Sequence, residues 1–152
     1  MAKVFEDFLT ATLTRALEAH GGLCRAQDPH DLDGAGRVGM NPDLVWYRAG
    51  RPAAVIDAKY KAEKPAGFPN ADVYQLLAYC TALGLTEGHL VYAKGNEPTV
   101  THHIRNAGIT IHAHALDLAA APDALLAQVD DLADRLTVSS VSPAPLATVA
   151  AG

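Results

Sequence analysis

Acidic and basic residues alternate on one apolar strand of this sequence. Asp57 and Lys59 lie two residues apart in the run 55–59, so a β-strand places both side chains on the same face. Asp43 opens the preceding apolar run and can approach Asp57 from a neighbouring strand. Two carboxylates and a strand carbonyl, here that of Ala58, form the hard oxygen site that Mg²⁺ or Mn²⁺ prefers. Because a lysine beside such a site can orient water or stabilise a charged phosphate, the pattern predicts metal-assisted phosphodiester hydrolysis.

The same triplet also has an ordinary explanation. Asp-x-Lys occurs by chance in roughly one chain of this size in three, and an exposed strand often alternates its charges. Val55 and Ile56, however, are consecutive apolar residues, which is typical of a central strand covered on both faces. Charged residues near the end of a buried strand need a reason to be there, and this context favours the functional interpretation.

The helix that follows carries two further polar side chains. Gln75 and Tyr79 lie four residues apart, and therefore on one face of a helix. They can reach back to an attacking water or to a substrate phosphate. The alternative is that Tyr79 is half-buried core and Gln75 is an ordinary surface residue.

An α/β domain with a mixed central sheet flanked by helices is predicted to position these residues. The 152 residues are enough for one domain, which we place at 1–137, followed by a disordered Ser/Pro/Ala tail at 138–152. The predicted elements are, in order, a helix over 2–20, a strand over 23–26, a hairpin over 44–59, a helix over 71–83, strands over 89–93, 100–104 and 109–113, and a helix over 122–136.

Composition narrows the classes of function. Twelve basic and seventeen acidic residues give a net charge of −5, which argues against nucleic-acid binding through bulk positive charge alone. The two cysteines do not form a disulfide framework, and neither a signal peptide nor a membrane-spanning run is visible, so we expect a cytoplasmic protein with no membrane contact. No Gly-rich phosphate loop is present, which argues against nucleotide hydrolysis by this chain.

Two histidines near the end of the sheet raise the question of a second metal site. His112 and His114 share a strand face, but no third ligand is spaced to complete a site. We therefore expect them to form part of a solvated or partly buried strand face.

Four blocks in this order resemble the PD-(D/E)XK nuclease superfamily and, within it, the nuclease domains of the McrC family. These domains cleave DNA in modification-dependent McrBC restriction systems. The blocks are Val4-Phe5-Glu6, Asn41-Pro42-Asp43-Leu44-Val45, the run from Val55 to Lys61, and the run from Asp72 to Tyr79. The resemblance extends from about Val4 to Leu118 and implies a restriction-endonuclease-like fold.

The resemblance implies a role for each matching residue. Asp43 and Asp57 are expected to bind Mg²⁺ or Mn²⁺, Lys59 to be the catalytic lysine, and Gln75 to assist near the water. Glu6 is expected to complete the metal site or to bind the waters of the metal; the alternative is a helix-dipole residue in the first turn of its helix. Weaker candidates for phosphate contact or support of the site are Tyr60, Lys61, Tyr74 and Tyr79.

The resemblance also implies a substrate and partners. We expect a Mg²⁺-dependent DNA endonuclease; the alternatives are a non-catalytic binding module with the nuclease fold and a RecB-like repair nuclease.

The sequence starts at the nuclease helix, without the segment through which McrC proteins engage a GTPase motor. We therefore expect a truncated, split or free-standing form, and the need for a McrB-like partner stays open. Few basic residues surround the site, so a partner or an oligomer is expected to supply target choice, and a homodimer suits cleavage of both strands.

Overall fold

A six-stranded mixed sheet forms the centre of the molecule. The computed structural model describes residues 2–60, 70–93 and 98–141. The elements are α1 (Ala2–Glu18), β1 (Leu23–Ala26), β2 (His30–Asp31), β3 (Gly39–Met40), β4 (Leu44–Arg48), β5 (Arg51–Lys59), α2 (Asn70–Leu83), β6 (Glu87–Ala93), β7 (Val100–Ile104), β8 (Ile109–Leu116) and α3 (Pro122–Val141). The sheet order is β1-β4-β5-β6-β8-β7, with β2 and β3 paired separately. The β5–β6 and β6–β8 pairs are parallel and the others antiparallel, which confirms the predicted mixed sheet.

Helices cover the sheet on both faces. Leucines of α1 and α3 pack in one buried cluster, and Leu76 and Cys80 of α2 pack in a second. Val55 belongs to the α2 cluster and Ile56 to the α1–α3 cluster, so β5 is a central strand buried on both faces, as its consecutive apolar residues predict. Within the described ranges, no helix combines the length and the apolar character needed to cross a membrane.

The β4–β5 hairpin sets the register on which the functional residues depend. Ala49 and Gly50 both have positive φ angles, 52° and 76°, which is the backbone of a two-residue turn that matches the twist of the strands. A β-bulge between Trp46 and Tyr47 then shifts the pairing by one residue, so that Leu44 pairs with Ile56. Asp43, one residue before Leu44, consequently lies beside Asp57.

Several element boundaries differ from the prediction. The last helix continues to Val141, four residues into the segment predicted as a disordered tail, because Leu136 is buried and the Thr137 hydroxyl donates to the Ala133 carbonyl within the helix. Residues 142–152 lie outside the described part of the chain. The β2–β3 hairpin was not predicted; the Asp33 carboxylate closes it by accepting backbone N–H bonds from residues 37 and 38.

One glycine sets the distance between α2 and the sheet. A Cβ at Gly88 of β6 would lie 2.6 Å from the Cys80 sulfur and 2.9 Å from Leu76 Cγ. We predict that Gly88→Ala lowers the free energy of unfolding by about 1–3 kcal/mol, because an interior packed this closely does not accept another methyl group. Urea denaturation followed by circular dichroism measures the change. The matched control is Gly34→Ala, whose added Cβ meets open space; equal stability of the two variants would contradict the prediction.

Candidate active site

Two aspartates meet where β4 and β5 run side by side. The backbone N–H of Asp43 donates to Oδ1 of Asp57 at 3.2 Å, and the N–H of Ala58 donates to Oδ2 of Asp43 at 2.9 Å. Asp57 is only 3% exposed, whereas Asp43 is partly open to solvent. The structure thus brings the two predicted carboxylates together, and Ala58, which follows Asp57 on β5, contacts Asp43 through its backbone N–H.

Lys59 connects this pair to the next helix. Its Nζ lies 2.8 Å from Oδ2 of Asp57 and donates to Oε1 of Gln75 at 2.6 Å. The shared strand face predicted for Asp57 and Lys59 is therefore confirmed, and α2 presents Gln75 to the lysine. The Lys59 side chain is 17% exposed, so its ammonium group is held by these partners at the edge of solvent.

Burial and like charge perturb the titration of the site. Burial, followed by the negative charge of Asp43, raises the pKa of Asp57 to about 6, and Lys59 opposes this shift. Burial and the charge of Asp43 also raise the pKa of Glu6. Burial and the mutual repulsion of the carboxylates thus outweigh the stabilisation that Lys59 gives to their charged forms, which favours the arrival of a further cation.

Two residues of the site were missed by sequence reasoning. Asp72 of α2 is buried, lies 3.9 Å from the Lys59 ammonium and accepts the hydroxyl of Tyr92 at 2.8 Å. Gln27 lies just after β1, and its Nε2 donates to Oε2 of Glu6 at 2.7 Å and to Oδ1 of Asp43 at 2.9 Å. Asp72 stood inside a matched block, but nothing in the sequence signalled its pairing with Tyr92. For Gln27 no local signal existed, because its role depends on where β1 lies in the sheet.

Glu6 occupies a different part of its helix from the one expected. Because α1 begins at Ala2, its first turn contains no acidic residue, and the helix-dipole interpretation of Glu6 was wrong. The Glu6 carboxylate instead reaches the site through Gln27. The ring of Phe5 packs against that of Tyr60, with centroids 6.3 Å apart, so Tyr60 supports α1 next to the site.

Two of the weaker candidates, Tyr79 and Tyr74, differ in their exposure to solvent. Tyr79 is buried and lines a cavity of about 410 Å³ together with Gln75, and burial and the charges of Asp57 and Asp43 raise its pKa. Tyr74 is 65% exposed on α2. Lys61 lies outside the described residues.

The donor set matches a hard divalent cation with many water ligands. In the described part of the chain, no three His, Cys, Asp or Glu side chains are grouped so as to enclose a metal ion. Asp43 and Asp57 supply two carboxylates, and Mg²⁺ is commonly held by one or two carboxylates plus water and phosphate oxygens. The residues present therefore fit Mg²⁺ or Mn²⁺ but not a fully enclosed site.

The histidines form a buried stack on the opposite side of β6. Nδ1 of His89 and Nε2 of His114 are 3.0 Å apart, and the rings of His89, His112 and His114 stack at 5.1 to 6.1 Å. His112 contacts Glu87 at 2.9 Å. This matches the expectation of a partly buried face for His112, whereas His114 is more deeply buried than expected and packs beside the buried His89.

Fold and site together define an α/β domain of the restriction-endonuclease-like class, with a cluster of carboxylates and one lysine beside its central strands. The chain belongs to the family described as McrBC 5-methylcytosine restriction system components, which it matches over residues 1–93. That range contains Glu6, Gln27, Asp43 and the Asp57–Gln75 group.

The solved structure of an McrC protein supports the same fold. McrC in the complex of Thermococcus gammatolerans McrB AAA+ hexamers with bound McrC is similar to this chain, with a TM-score of 0.67 and 18% sequence identity over 93% of this chain. The match covers 33% of the McrC chain, so the present chain spans about a third of that protein. A crystallised protein of unknown function, AF1548, matches with a TM-score of 0.40 and 19% identity over 59% of this chain and 49% of its own. No curated protein matches the chain by sequence.

The buried histidines predict acid sensitivity of the fold. Burial and the neighbouring imidazoles lower the pKa of His89 well below its usual value. Burial, His112 and Arg135 lower that of His114 to about 3. Since the unfolded chain takes up protons near pH 6.5 and the folded chain does not, stability falls as the pH drops below that value. Proton uptake by Asp57 in the folded chain offsets part of this loss, so we predict a net loss of about 2 kcal/mol between about pH 7.5 and about pH 5.5, measured by urea denaturation.

Two variants test this assignment. His89→Leu removes one of the two groups while the opposing contribution of Asp57 stays, so the pH dependence of stability should fall by more than half. His103→Gln replaces an exposed histidine of β7 and should leave the pH dependence as in the wild type. A slope unchanged in His89→Leu would assign the acid sensitivity to other groups.

Proposed function

We propose that this chain is the catalytic core of an McrC-like subunit, a metal-dependent endonuclease of the PD-(D/E)XK type that hydrolyses phosphodiester bonds in DNA. The observation that carries the proposal is the contact chain from Asp43, just before β4, through Asp57 and Lys59 of β5 to Gln75 of α2. An ordinary solvated strand face does not bury its aspartate at 3% exposure against a second carboxylate.

Each residue has a role in this proposal. Asp43 and Asp57, with the Ala58 carbonyl, would hold Mg²⁺ or Mn²⁺, and Glu6 would assist through the waters of the ion. The ion would supply Lewis-acid polarisation of the phosphate and of the attacking water. Lys59, restrained by Asp57 and Gln75, orients the attacking water and stabilises the negative charge that builds on the phosphate. Tyr79, beside Gln75, closes the apolar side of the site.

The proposed assembly includes DNA and a motor. The similar McrC chain is three times as long and is bound to McrB AAA+ hexamers, so we propose a McrB-like partner for the protein that contains this domain. A net charge of −5 gives little bulk attraction for DNA, which agrees with a partner that delivers the substrate. A homodimer is the simplest arrangement for cutting both strands.

Substitution of Lys59 tests the proposed phosphodiester hydrolysis. We predict that the chain nicks supercoiled plasmid with Mn²⁺ or Mg²⁺, and that Lys59→Met lowers the rate at least about 100-fold, because the water loses its positioning group. The matched control is Arg51→Met, an exposed cation at the opposite end of the same strand, which should retain most of the activity. Nicking that persists in Lys59→Met contradicts the assignment of Lys59.

Metal binding tests the site independently of cleavage. The pKa of about 6 at Asp57 means that Mn²⁺ must displace a proton at acid pH. Mn²⁺ affinity, measured by isothermal titration calorimetry, should therefore fall about tenfold from about pH 7 to about pH 5, and Asp57→Asn should abolish binding. A folded wild-type chain that binds no Mn²⁺ would favour the non-catalytic module instead. Binding without nicking would indicate an enzyme that requires its partner.

A further inference from the structure

Gln27 forms a bridge between two carboxylates of the site. Its single Nε2 lies 2.7 Å from Oε2 of Glu6 and 2.9 Å from Oδ1 of Asp43, so one amide group uses both of its hydrogens on two acceptors of the same sign. An amide nitrogen in this position, together with the charge of the nearby Lys3, partly offsets the repulsion between Glu6 and Asp43. It also ties α1, which carries Glu6, to the loop that leads into β4.

The backbone of Gln27 is held in an unusual conformation. Its φ of 50° lies in the left-handed region, which costs a residue other than glycine, asparagine or aspartate about 1 kcal/mol or more. Two hydrogen bonds hold it there: the Gln27 N–H donates to the Asp43 carbonyl at 3.0 Å, and the Asp28 N–H donates to the Pro42 carbonyl at 3.3 Å.

A polar cluster anchors the next residue. The Asp28 carboxylate accepts the Tyr47 hydroxyl and lies 2.9 Å from Nε2 of His30. The three side chains come from β2, β4 and the connection between β1 and β2, and each is at least partly buried. This cluster holds the loop against the sheet, and the strained backbone of Gln27 is maintained by contacts on both of its sides.

Resting on the proposed function, we infer that Gln27 is a positioning residue that fixes Asp43 and Glu6 for metal binding. Asp43 has one oxygen on the Ala58 N–H and the other on Gln27, so its carboxylate plane is set by these two donors. Without Gln27, one oxygen of Asp43 is released and the half-buried Glu6 is free to turn into solvent. Metal binding would then require the Asp43 carboxylate to be reoriented.

The clean test replaces the donor and keeps the shape. Gln27→Met has a similar length and the same backbone preference, but it has no N–H to donate. We expect Mn²⁺ affinity at neutral pH, measured by calorimetry on the purified chain, to fall about five- to tenfold, with thermal stability in EDTA close to that of the wild type. In the nicking assay, kcat should fall while KM for plasmid changes little, because the residue acts on the metal site and not on DNA.

A second variant separates the effect of the Gln27 side chain on Mn²⁺ affinity from that of its backbone conformation. Asparagine adopts positive φ more readily than glutamine but is one methylene shorter. Gln27→Asn should therefore be at least as stable as the wild type and still lose Mn²⁺ affinity, since its amide cannot reach both carboxylates. Tyr47→Phe, which removes the hydroxyl donor to Asp28 outside the site, should lower Mn²⁺ affinity two- to threefold through the same loop.

The outcomes are distinguishable from failure of the proposed function. If the wild type binds Mn²⁺ and Gln27→Met binds it with equal or higher affinity, the positioning role is overturned, because the amide then only occupies space or competes with the ion. If the wild type itself binds no Mn²⁺, the proposed function fails first. A loss of affinity that appears only together with a lower melting temperature in EDTA would assign Gln27 a structural role and would also overturn the inference.

Discussion

The hydrogen bond from the Asp43 backbone to the Asp57 carboxylate depends on a single register, that of the β4–β5 hairpin. A shift by one residue would move Asp57 to the other face of the sheet, towards α1 and α3, because strand side chains alternate. The two-residue turn at Ala49-Gly50 and the β-bulge between Trp46 and Tyr47 together set this register, and both are therefore functional elements although they lie away from the site.

The helix α2 adds what the hairpin cannot provide. It delivers Gln75 and Asp72 to Lys59, and its distance from the sheet is limited by the contact of Leu76 and Cys80 with Gly88. An interior packed at this density transmits small displacements, so a methyl group at Gly88 moves the partners of the lysine as well as the core. Stability and site geometry are coupled through this one close approach.

Features set by residues close together in the chain were predicted, whereas most of those set by contacts between distant residues were not. The hairpin, α2 and the shared face of Asp57 and Lys59 were predicted, because periodicity, turn residues and strand alternation are local signals. The β2–β3 hairpin and the last four residues of α3 were not, since both are short segments with weak apolar patterns. The role of the histidine stack was also beyond local reasoning, because His89 comes from a different strand from its two neighbours.

The sequence by itself determined the α/β class, the order of the helices and longer strands, and the candidate carboxylates and lysine, since apolar periodicity and side-chain alternation are set by helix and strand geometry. The tertiary structure alone showed that Gln27 joins Glu6 to Asp43 and that Asp72 reaches Lys59. Those contacts join residues that lie 13 to 21 positions apart in the chain. Their geometry is therefore set by sheet order and helix packing, which no local pattern in the sequence records.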